Sequence, residues 1–269
     1  MKSLLTPLLL IMFSLMPLAT ATATATNINV HSEPTKSVTE VRIHTGQIEN
    51  KHITLSYNDA VRTEQVLRDA QLQIAKHSLL NSPIYWLQAA IFTQPLEQEK
   101  QGLLDLISAQ QNNFKQADER FLALKKLHQF IASSHFARRE KLSLDYDQVR
   151  IQPNANPLLS GALTLQLPAR PHQVFVLGAV KNSGAVTWEE RKSADDYLEQ
   201  AETISASDNN TAIVIQPDGR IESHPVAYWN SRYHAIAPGA IIYLPFTGWF
   251  SDFEQVNQMV VELLKERVL

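Results

Sequence analysis

Short runs of β-branched and aromatic residues alternate with turn residues along the second half of the chain. Residues 174–180 and 240–244 are two such runs, each flanked by Gly or Pro, as is typical of strands. A polar helix candidate at 194–201 and a strand candidate at 212–215 lie between them, followed by an Asp-Gly turn and a return strand from Ile221. The order strand, strand, helix, strand, strand, strand predicts a small mixed sheet covered by one helix, an α+β arrangement.

Three segments of the first half repeat segments of the second half in the same order. The matches are 41–46 with 174–178, 66–70 with 197–201, and 160–168 with 238–245. The last match ends in Leu-Pro in both copies and is one residue longer in the first half. The repetition predicts an internal duplication, in which both halves form the same sheet-plus-helix unit with the same strand order.

Three motifs of the second half carry a family resemblance. The ending Pro-Gly-Ala-Ile-Ile-Tyr-Leu-Pro, the opening Val-x-Val-x-Gly-x-Val and the helix motif Tyr-Leu-x-x-Ala resemble SLBB-type β-grasp domains of Wza-type polysaccharide export proteins. Two such domains, the first split by helices, resemble the capsule biosynthesis GfcC family over about residues 38–269. The resemblance implies an α+β fold of two β-grasp-like domains. It also implies a non-enzymatic role in capsule or O-antigen capsule assembly, beside an outer-membrane polysaccharide exporter.

The domain boundaries follow from these patterns. We expect a first β-grasp-like domain at 38–168 and a second at 172–246, joined by a connection that two prolines stiffen. A helical insertion at about 82–136 interrupts the first domain. Its apolar residues recur on helical faces in two segments separated by a Gln-Gln-Asn-Asn break, which predicts a helical hairpin.

Two shorter segments on either side of that hairpin have their own predicted structure. Residues 85–92 are strongly apolar and follow a Ser-Pro pair, which favours a short helix. Residues 142–149 have strand character, with Asp145 and Asp147 on the solvent side.

Residues 1–25 have the pattern of a secretory signal peptide. Lys2 precedes an apolar run at 4–18, and the alternating Ala and Thr residues that follow offer Ala-x-Ala cleavage sites. A membrane anchor is the alternative, but the run is shorter than a bilayer span usually needs. The chain has no Cys, which excludes a lipidated Cys anchor, disulfides and Cys-ligated metals. We therefore expect a periplasmic protein.

An amphipathic helix is predicted at the C-terminus, over 249–269. Ser251 and Glu254 form a capping box, so the helix should begin near Asp252. The apolar face consists of Phe253, Val256, Val260 and Leu263. This face either packs back onto the chain's own domains or docks on a partner or a second copy. We predict that truncation after Leu244 leaves the second domain folded but abolishes function, and loss of folding would instead favour the packed-back alternative.

Charge and motifs exclude several function classes. A net charge of −3 gives no basic surface for nucleic acid. The sequence has no Gly-x-Ser-x-Gly, no phosphate-binding Gly-rich loop and no His-Glu-x-x-His. Asp195 and Asp196 stand at a predicted helix start, where the helix dipole favours them. We therefore expect no catalytic residues, no metal and no cofactor.

One set of residues suits a saccharide. Aromatic rings can stack on the C–H face of a sugar, and Arg offers a planar fork of donors for hydroxyl groups or an acidic polysaccharide. The candidates are Trp86, Tyr85, Trp229 and Tyr228, with Arg138, Arg139 and Arg150. The alternative is core aromatics and ordinary surface arginines. Two other functions stay open: a carbohydrate-active enzyme with a Glu or Asp pair, and a ligand-binding module with a closed pocket.

Overall fold

The computed structural model describes residues 38–46, 53–208, 210–230, 232–248 and 253–269. The predicted signal peptide and the predicted capping residue Ser251 lie outside these residues. The strands are β1 (Thr39–His44), β2 (Ile53–Tyr57), β3 (Val61–Arg62), β4 (Ala90–Pro95), β5 (His135–Arg139), β6 (Leu158–Leu159), β7 (Ala162–Gln166), β8 (Gln173–Gly178), β9 (Gly184–Thr187), β10 (Thr211–Ile215), β11 (Ile221–Pro225), β12 (Ile241–Leu244) and β13 (Arg267–Val268). The helices are α1 (Thr63–Lys76), α2 (Glu97–Gln111), α3 (Glu119–Ser133), α4 (Tyr146–Ile151), α5 (Ala194–Ala201) and α6 (Phe253–Leu264), with short 3-10 turns at Trp86–Gln88 and Pro153–Ala155.

The two large sheets share one strand order. The first sheet runs β13-β5-β4-β7-β1-β2 and the second runs β11-β10-β12-β8-β9. Without β13 the orders correspond strand for strand. The central strand of each, β7 or β12, is parallel to the first strand of its half and antiparallel to its other neighbour. The α+β class and the shared strand order are confirmed.

Each sheet is covered by an equivalent helix, α1 in the first half and α5 in the second. The buried positions at equivalent spacing are Val66, Leu67 and Ala70 in α1 and Tyr197, Leu198 and Ala201 in α5. One apolar face per helix faces the core because these positions recur with the helical period. At the start of α5, Ser193 and Asp196 form a reciprocal capping box, which is consistent with the interpretation of this acidic pair as a helix-start feature.

The helical hairpin α2–α3 packs into the core of the other half of the chain. It is inserted between β4 and β5 of the first sheet, where the second sheet has the turn at 216–220. Its buried residues, among them Leu103, Ile107, Leu124 and Leu127, belong to one hydrophobic core with β8, β10, β12, α5 and α6. Strands β1, β4 and β7 form a separate core with α1, whereas Phe136 of β5 belongs to the core of the hairpin. The hydrophobic cores therefore do not follow the order of the chain.

The C-terminal helix α6 packs back onto the chain. Phe253, Val256, Val260 and Leu263 are only 0–4% exposed, and the Phe253 ring lies 6.2 Å from that of Phe114 at the end of the hairpin. The packed-back alternative therefore describes this structure. The four residues proposed for partner docking are interior side chains and form no exposed face.

The chain after α6 differs from the predicted helix through residue 269. The helix ends at Leu264, and β13 pairs Arg267 with Phe136 and Val268 with His135 of β5. The backbone N–H of Leu269 then donates to Gln166 Oε1 at 2.8 Å. Sequence periodicity could not reveal this strand because its hydrogen-bonding partner is remote in the chain.

The guanidinium of Arg267 fixes this C-terminal strand to both halves. It lies 4.7 Å from the ring centre of Phe175 in β8 and 5.1 Å from that of Phe130 in α3. Burial lowers the pKa of Arg267 to about 10, and the two ring faces offset part of the cost of burying the charge.

Two local predictions are wrong. Residues 85–92 form a 3-10 turn and then β4 instead of a helix, because Ile91 pairs with Leu165 of β7 and both faces of this strand are buried. A short apolar run cannot be assigned to helix or strand by period alone. Residues 142–149 were predicted as a strand, but Asp145 accepts hydrogen bonds from the N–H groups of Asp147 and Gln148 and begins α4. The N-cap preference of Asp decides this element.

None of the helices within the described residues combines the length and the apolar character that crossing a bilayer requires.

Candidate functional site

A cleft of about 780 Å³ opens beside the first sheet and reaches the turn of the second. It is lined by Gln71, Trp86, Leu87, Ala89, Ala90, the segment 139–147 and Asp218. The walls therefore come from α1, the turn before β4, the connection after β5 and the β10–β11 turn. Such concave sites with a few convergent polar groups are typical of ligand binding.

Trp86 is presented by a hydrogen-bonded turn. The N–H of Tyr85 donates to Pro168 O at 2.8 Å, and the N–H of Ala89 donates to Trp86 O at 3.1 Å. The Trp86 side chain remains 40% exposed, which is unusual for so large an apolar ring. Tyr146, the first residue of α4, contributes a second aromatic side chain to the cleft. A rigid turn and a capped helix thus hold two rings of one site.

Arg139 lines the same cleft from the end of β5. Its backbone N–H donates to Glu266 Oε2 at 2.6 Å, and its guanidinium lies 5.1 Å from the ring centre of Phe92. Burial lowers the pKa of Arg139, while the charges of Glu266 and Asp218 act in the opposite direction. Its Nε is buried without a hydrogen-bond partner among the described residues, so a ligand in the cleft would have to be bound by the two terminal nitrogens of the guanidinium.

The β10–β11 turn packs directly against this arginine. Gly219 has a φ of +85°, and a Cβ added there would lie 3.3 Å from Arg139 Cδ. A positive φ is accessible to Gly at little cost. The second half of the chain therefore fixes the position of a cationic group that the first half contributes.

The carboxylates around the cleft have structural partners. Glu140 accepts a hydrogen bond from Thr93 Oγ1 at 3.2 Å, and Asp145 caps α4. Asp147 Oδ1 lies 3.9 Å from Arg150 Nη2. Asp218 Oδ2 accepts a hydrogen bond of 2.6 Å from Arg220 Nε. With Arg139 and Lys141 the lining is mixed in charge, which suits a ligand that is rich in hydroxyl groups.

The structure brings together only part of the predicted saccharide set. Trp86 and Arg139 line one cleft, and Tyr85 lies at the adjacent position in the chain. Arg138 is exposed on β5, where alternation directs it to the face opposite Arg139. Trp229 is 77% exposed in the loop after β11 and is absent from the cleft lining.

The remaining candidates lie on other surfaces. Arg150 is exposed on α4. It does not line the cleft, but its Nη2 lies 3.9 Å from Oδ1 of Asp147, which does. Tyr228, beside Trp229 in the loop after β11, is fully exposed.

Several cleft residues were not predicted. Tyr146 was missed because its segment was predicted as a strand, although the Asp145 N-cap signal was available. Gln71 and Asp218 carried no local signal, since one is an ordinary helix residue and the other comes from the opposite half of the chain.

Comparison with known proteins gives matches over most of the chain. The family model "Capsule biosynthesis GfcC, N-terminal" matches residues 41–170, and the model "Capsule biosynthesis GfcC C-terminal" matches residues 182–269. A protein of Escherichia coli (strain K12) named "Uncharacterized protein YjbG" is 30% identical over 190 residues. The aligned part covers 68% of this chain and 77% of that relative.

Proposed function

Because the chain belongs to the capsule biosynthesis GfcC family, we propose that its cleft binds a segment of a surface polysaccharide during capsule assembly or export. The observation that carries the proposal is the presence of Trp86 and Arg139 in the lining of one cleft. The family membership supports a role in capsule biosynthesis, and the residues of the cleft support a saccharide as the ligand.

The lining fits the chemistry of a sugar chain. An exposed indole face can cover the C–H surface of a pyranose ring, and Tyr146 adds a second ring. The amide of Gln71, the guanidinium of Arg139 and the nearby carboxylates supply donors and acceptors for hydroxyl groups. Apolar rings for the ring faces and planar polar groups for the hydroxyls are what a saccharide site requires.

The proposed activity is binding without catalysis. Glycoside hydrolysis needs two carboxylates that flank the scissile bond, one to donate a proton and one to attack or to activate water. Glu140, Asp145 and Asp218 already act as acceptors for Thr93, the α4 N-terminus and Arg220. These structural roles favour a carbohydrate-binding protein over the carbohydrate-active enzyme.

We place this function in the periplasm, beside an outer-membrane polysaccharide exporter or another capsule-assembly protein. The signal-peptide pattern of residues 1–25 and the lack of Cys support that location. N-terminal sequencing of the periplasmic fraction should find a chain that begins after Ala21, Ala23 or Ala25. A retained Met1 would contradict the location. Cross-linking in whole cells followed by mass spectrometry should identify an exporter or an assembly protein.

Binding is tested with oligosaccharides prepared from the surface polysaccharide of the strain that carries this chain. Trp86→Ala should weaken the affinity roughly tenfold, the size of one lost aromatic contact. Isothermal titration calorimetry measures the affinity. Trp229→Ala is the matched control because Trp229 is also exposed but does not line the cleft. Equal affinity of wild type and Trp86→Ala, or a loss confined to Trp229→Ala, would refute the cleft as the binding site.

A further inference from the structure

Arg170 lies between an aromatic ring of each half of the chain. Its guanidinium carbon is 5.7 Å from the ring centre of Tyr85 and 5.3 Å from that of Trp188. Tyr85 precedes β4 of the first sheet, and Trp188 follows β9 of the second. Arg170 itself belongs to the connection between the sheets and is exposed to solvent. In the sequence, Arg170 stands at the predicted domain boundary.

Main-chain hydrogen bonds hold the backbone of Tyr85 and of Trp188, and a further one holds the Trp188 ring. The Tyr85 N–H donates to Pro168 O at 2.8 Å, and the Trp188 N–H donates to His172 O at 2.9 Å. The indole N–H of Trp188 also donates to Ile236 O at 2.8 Å. Contact of the guanidinium with the two rings restricts the arginine side chain before any ligand arrives. A preorganised donor loses less conformational entropy on binding than a free surface arginine.

The charge of Arg170 has no counterion within the described part of the chain. Across those ranges the Arg170 side chain forms neither an ion pair nor a hydrogen bond. Its guanidinium makes cation–π contacts with the two rings. A guanidinium carries five N–H donors in one plane, and because the Arg170 side chain is exposed, these donors are accessible to a ligand. The arrangement is therefore a cationic donor without an acceptor.

Arg170 lies outside the cleft lining, and its link to the cleft is Tyr85, whose ring centre lies 5.7 Å from the guanidinium carbon. Burial raises the pKa of Tyr85, the charge of Arg170 opposes this, and the charge of Asp218 adds to it. Asp218 lines the cleft, as does Trp86, the residue that follows Tyr85. A chain ligand that stacks on Trp86 can therefore extend toward Arg170.

We propose that Arg170, held between Tyr85 and Trp188, binds the carboxylate of an acidic sugar residue in the saccharide that occupies the cleft. This inference rests on the proposed function and adds the substrate class, a polysaccharide that contains a hexuronic acid or a similarly carboxylated sugar. A carboxylate matches the planar fork in a bidentate, charge-assisted pair. A neutral sugar leaves the guanidinium without its counterion, so the site selects for acidic chains.

The test compares two probes that differ only in charge. Oligogalacturonate carries one carboxylate per sugar, and chemical reduction of its carboxyl groups gives a neutral oligomer of the same length. Calorimetry should show that wild type binds oligogalacturonate roughly tenfold more tightly than the reduced oligomer. Arg170→Ala should lose that preference and keep the wild-type affinity for the reduced oligomer. Arg138→Ala is the matched control, because Arg138 is an exposed arginine outside this stack.

Further variants separate the contributions of charge, stacking and fold. Arg170→Lys keeps the charge but loses the planar fork, so it should recover only part of the preference. Trp86→Ala should lower the affinity for both oligomers by the same factor. An unchanged melting temperature of Arg170→Ala shows that the variant is folded.

Each outcome decides between the two proposals. If wild type binds both oligomers equally, or if Arg170→Ala retains the preference, the acidic-sugar inference is wrong while saccharide binding stands. If inorganic phosphate at low millimolar concentration displaces oligogalacturonate only from proteins that carry Arg170, the site is a phosphate site and the carboxylate assignment is wrong. If wild type binds neither oligomer nor the native polysaccharide, the proposed function and this inference both fail.

Discussion

In the second half of the chain a turn at 216–220 joins β10 to β11, whereas the hairpin α2–α3 joins the equivalent strands β4 and β5 of the first half. The strands on either side of the two connections pair in the same order. The hairpin packs into the core of the second half, and the turn packs on Arg139 of the first half. Each equivalent connection therefore reaches into the opposite half of the molecule.

This exchange shows that a duplicated unit can be recognised in sequence while its packing partners cannot. Strands β1, β4 and β7 keep their own core with α1, and the second sheet shares a core with the hairpin and α6. The cleft depends on the same exchange, because Arg139 comes from one half and Asp218 from the other. Perturbing either connection should thus affect the half that does not encode it.

The largest effect should follow truncation after Leu244. This change removes the buried Phe246 and the five buried side chains of α6, which are Phe253, Val256, Val260, Leu263 and Leu264. For the five of α6 alone, at roughly 1.5–3 kcal/mol each, the lost burial of roughly 7–15 kcal/mol equals the whole stability of a typical domain. The second core should therefore lose cooperative unfolding in urea, contrary to the expectation that the second domain stays folded. Tryptophan fluorescence and circular dichroism measure the transition.

A shorter deletion provides the control for that truncation. Removal of residues 267–269 deletes β13 and the stack of Arg267 on Phe130 and Phe175 but leaves α6 in place. It should lower the unfolding midpoint without abolishing the transition. A truncated chain that ends at Leu244 and unfolds with the wild-type midpoint would refute the packing role of α6.

A matched pair of core substitutions tests which core the hairpin belongs to. Leu67 in α1 and Leu127 in α3 are both fully buried, in the first and the second core respectively. Each Leu→Ala change should cost about 2–5 kcal/mol. Native-state hydrogen exchange should show that Leu127→Ala lowers protection in β10 and β12, and that Leu67→Ala lowers it in β1 and β7. If Leu127→Ala weakens β1 and β7 instead, the hairpin is part of the first core.

Two glycines at or just after the end of the first strand of each copy should differ in how much an alanine substitution destabilises the protein. Gly178 and Gly46 both have a positive φ, but a Cβ at Gly178 would meet Leu244 O at 2.1 Å, whereas one at Gly46 meets only the Leu269 and Pro168 side chains. Gly46→Ala should therefore cost about 1 kcal/mol from backbone strain alone. Gly178→Ala should cost about 3 kcal/mol or more because the strands must separate. Chemical denaturation measures both, and equal costs would contradict the close approach of β8 and β12.

The smallest effect concerns the cap of α3 and depends on pH. Hydrogen bonds from the Arg120 side chain lower the pKa of Asp118 to about 2, below the ordinary value of about 3.9. The stabilisation is therefore present above pH 4 and is lost as the pH falls through 2. Asp118→Asn should cost less than about 1 kcal/mol at pH 7, since the carboxylate is partly exposed, and progressively less as the pH falls from 4 to 2.

The control for this prediction is a different capping change in the second half, Asp196→Asn at the third residue of α5. Urea titrations of both variants across pH 2–7 should give a pH-dependent difference from wild type for Asp118→Asn. A constant difference for Asp118→Asn would show that Arg120 does not stabilise the charged form.

The repeated unit could be predicted from the sequence because its strands and covering helices have a local hydrophobic periodicity. The Leu and Ala spacing shared by α1 and α5 identified the two copies, and the Gly-Pro punctuation located β8 and β12. Period alone misassigned β4, because a strand that is buried on both faces has no alternation. Strand β13 could not be predicted, because a two-residue strand forms only by pairing with a sheet edge that is remote in the sequence, here β5.

The candidate site was predictable only in residue type. Trp86 and Arg139 were proposed from the chemistry that a saccharide needs, and the fold brings them into one cleft. Arg138 and Trp229 matched the same chemistry but lie elsewhere, because strand alternation and loop position are tertiary properties. Arg170 showed no signal, since its relevance comes from two rings that are remote from each other in the chain.

Hydrogen–deuterium exchange with and without oligosaccharides from the native surface polysaccharide tests the central claim most directly. Saccharide bound in the cleft should slow exchange in residues 86–90 and 139–147, which form its walls. The exposed aromatic loop around Tyr228 and Trp229 should exchange at the same rate in both states. Protection confined to that loop, or no protection anywhere at saturating oligosaccharide, would contradict the assignment of the cleft as the polysaccharide-binding site.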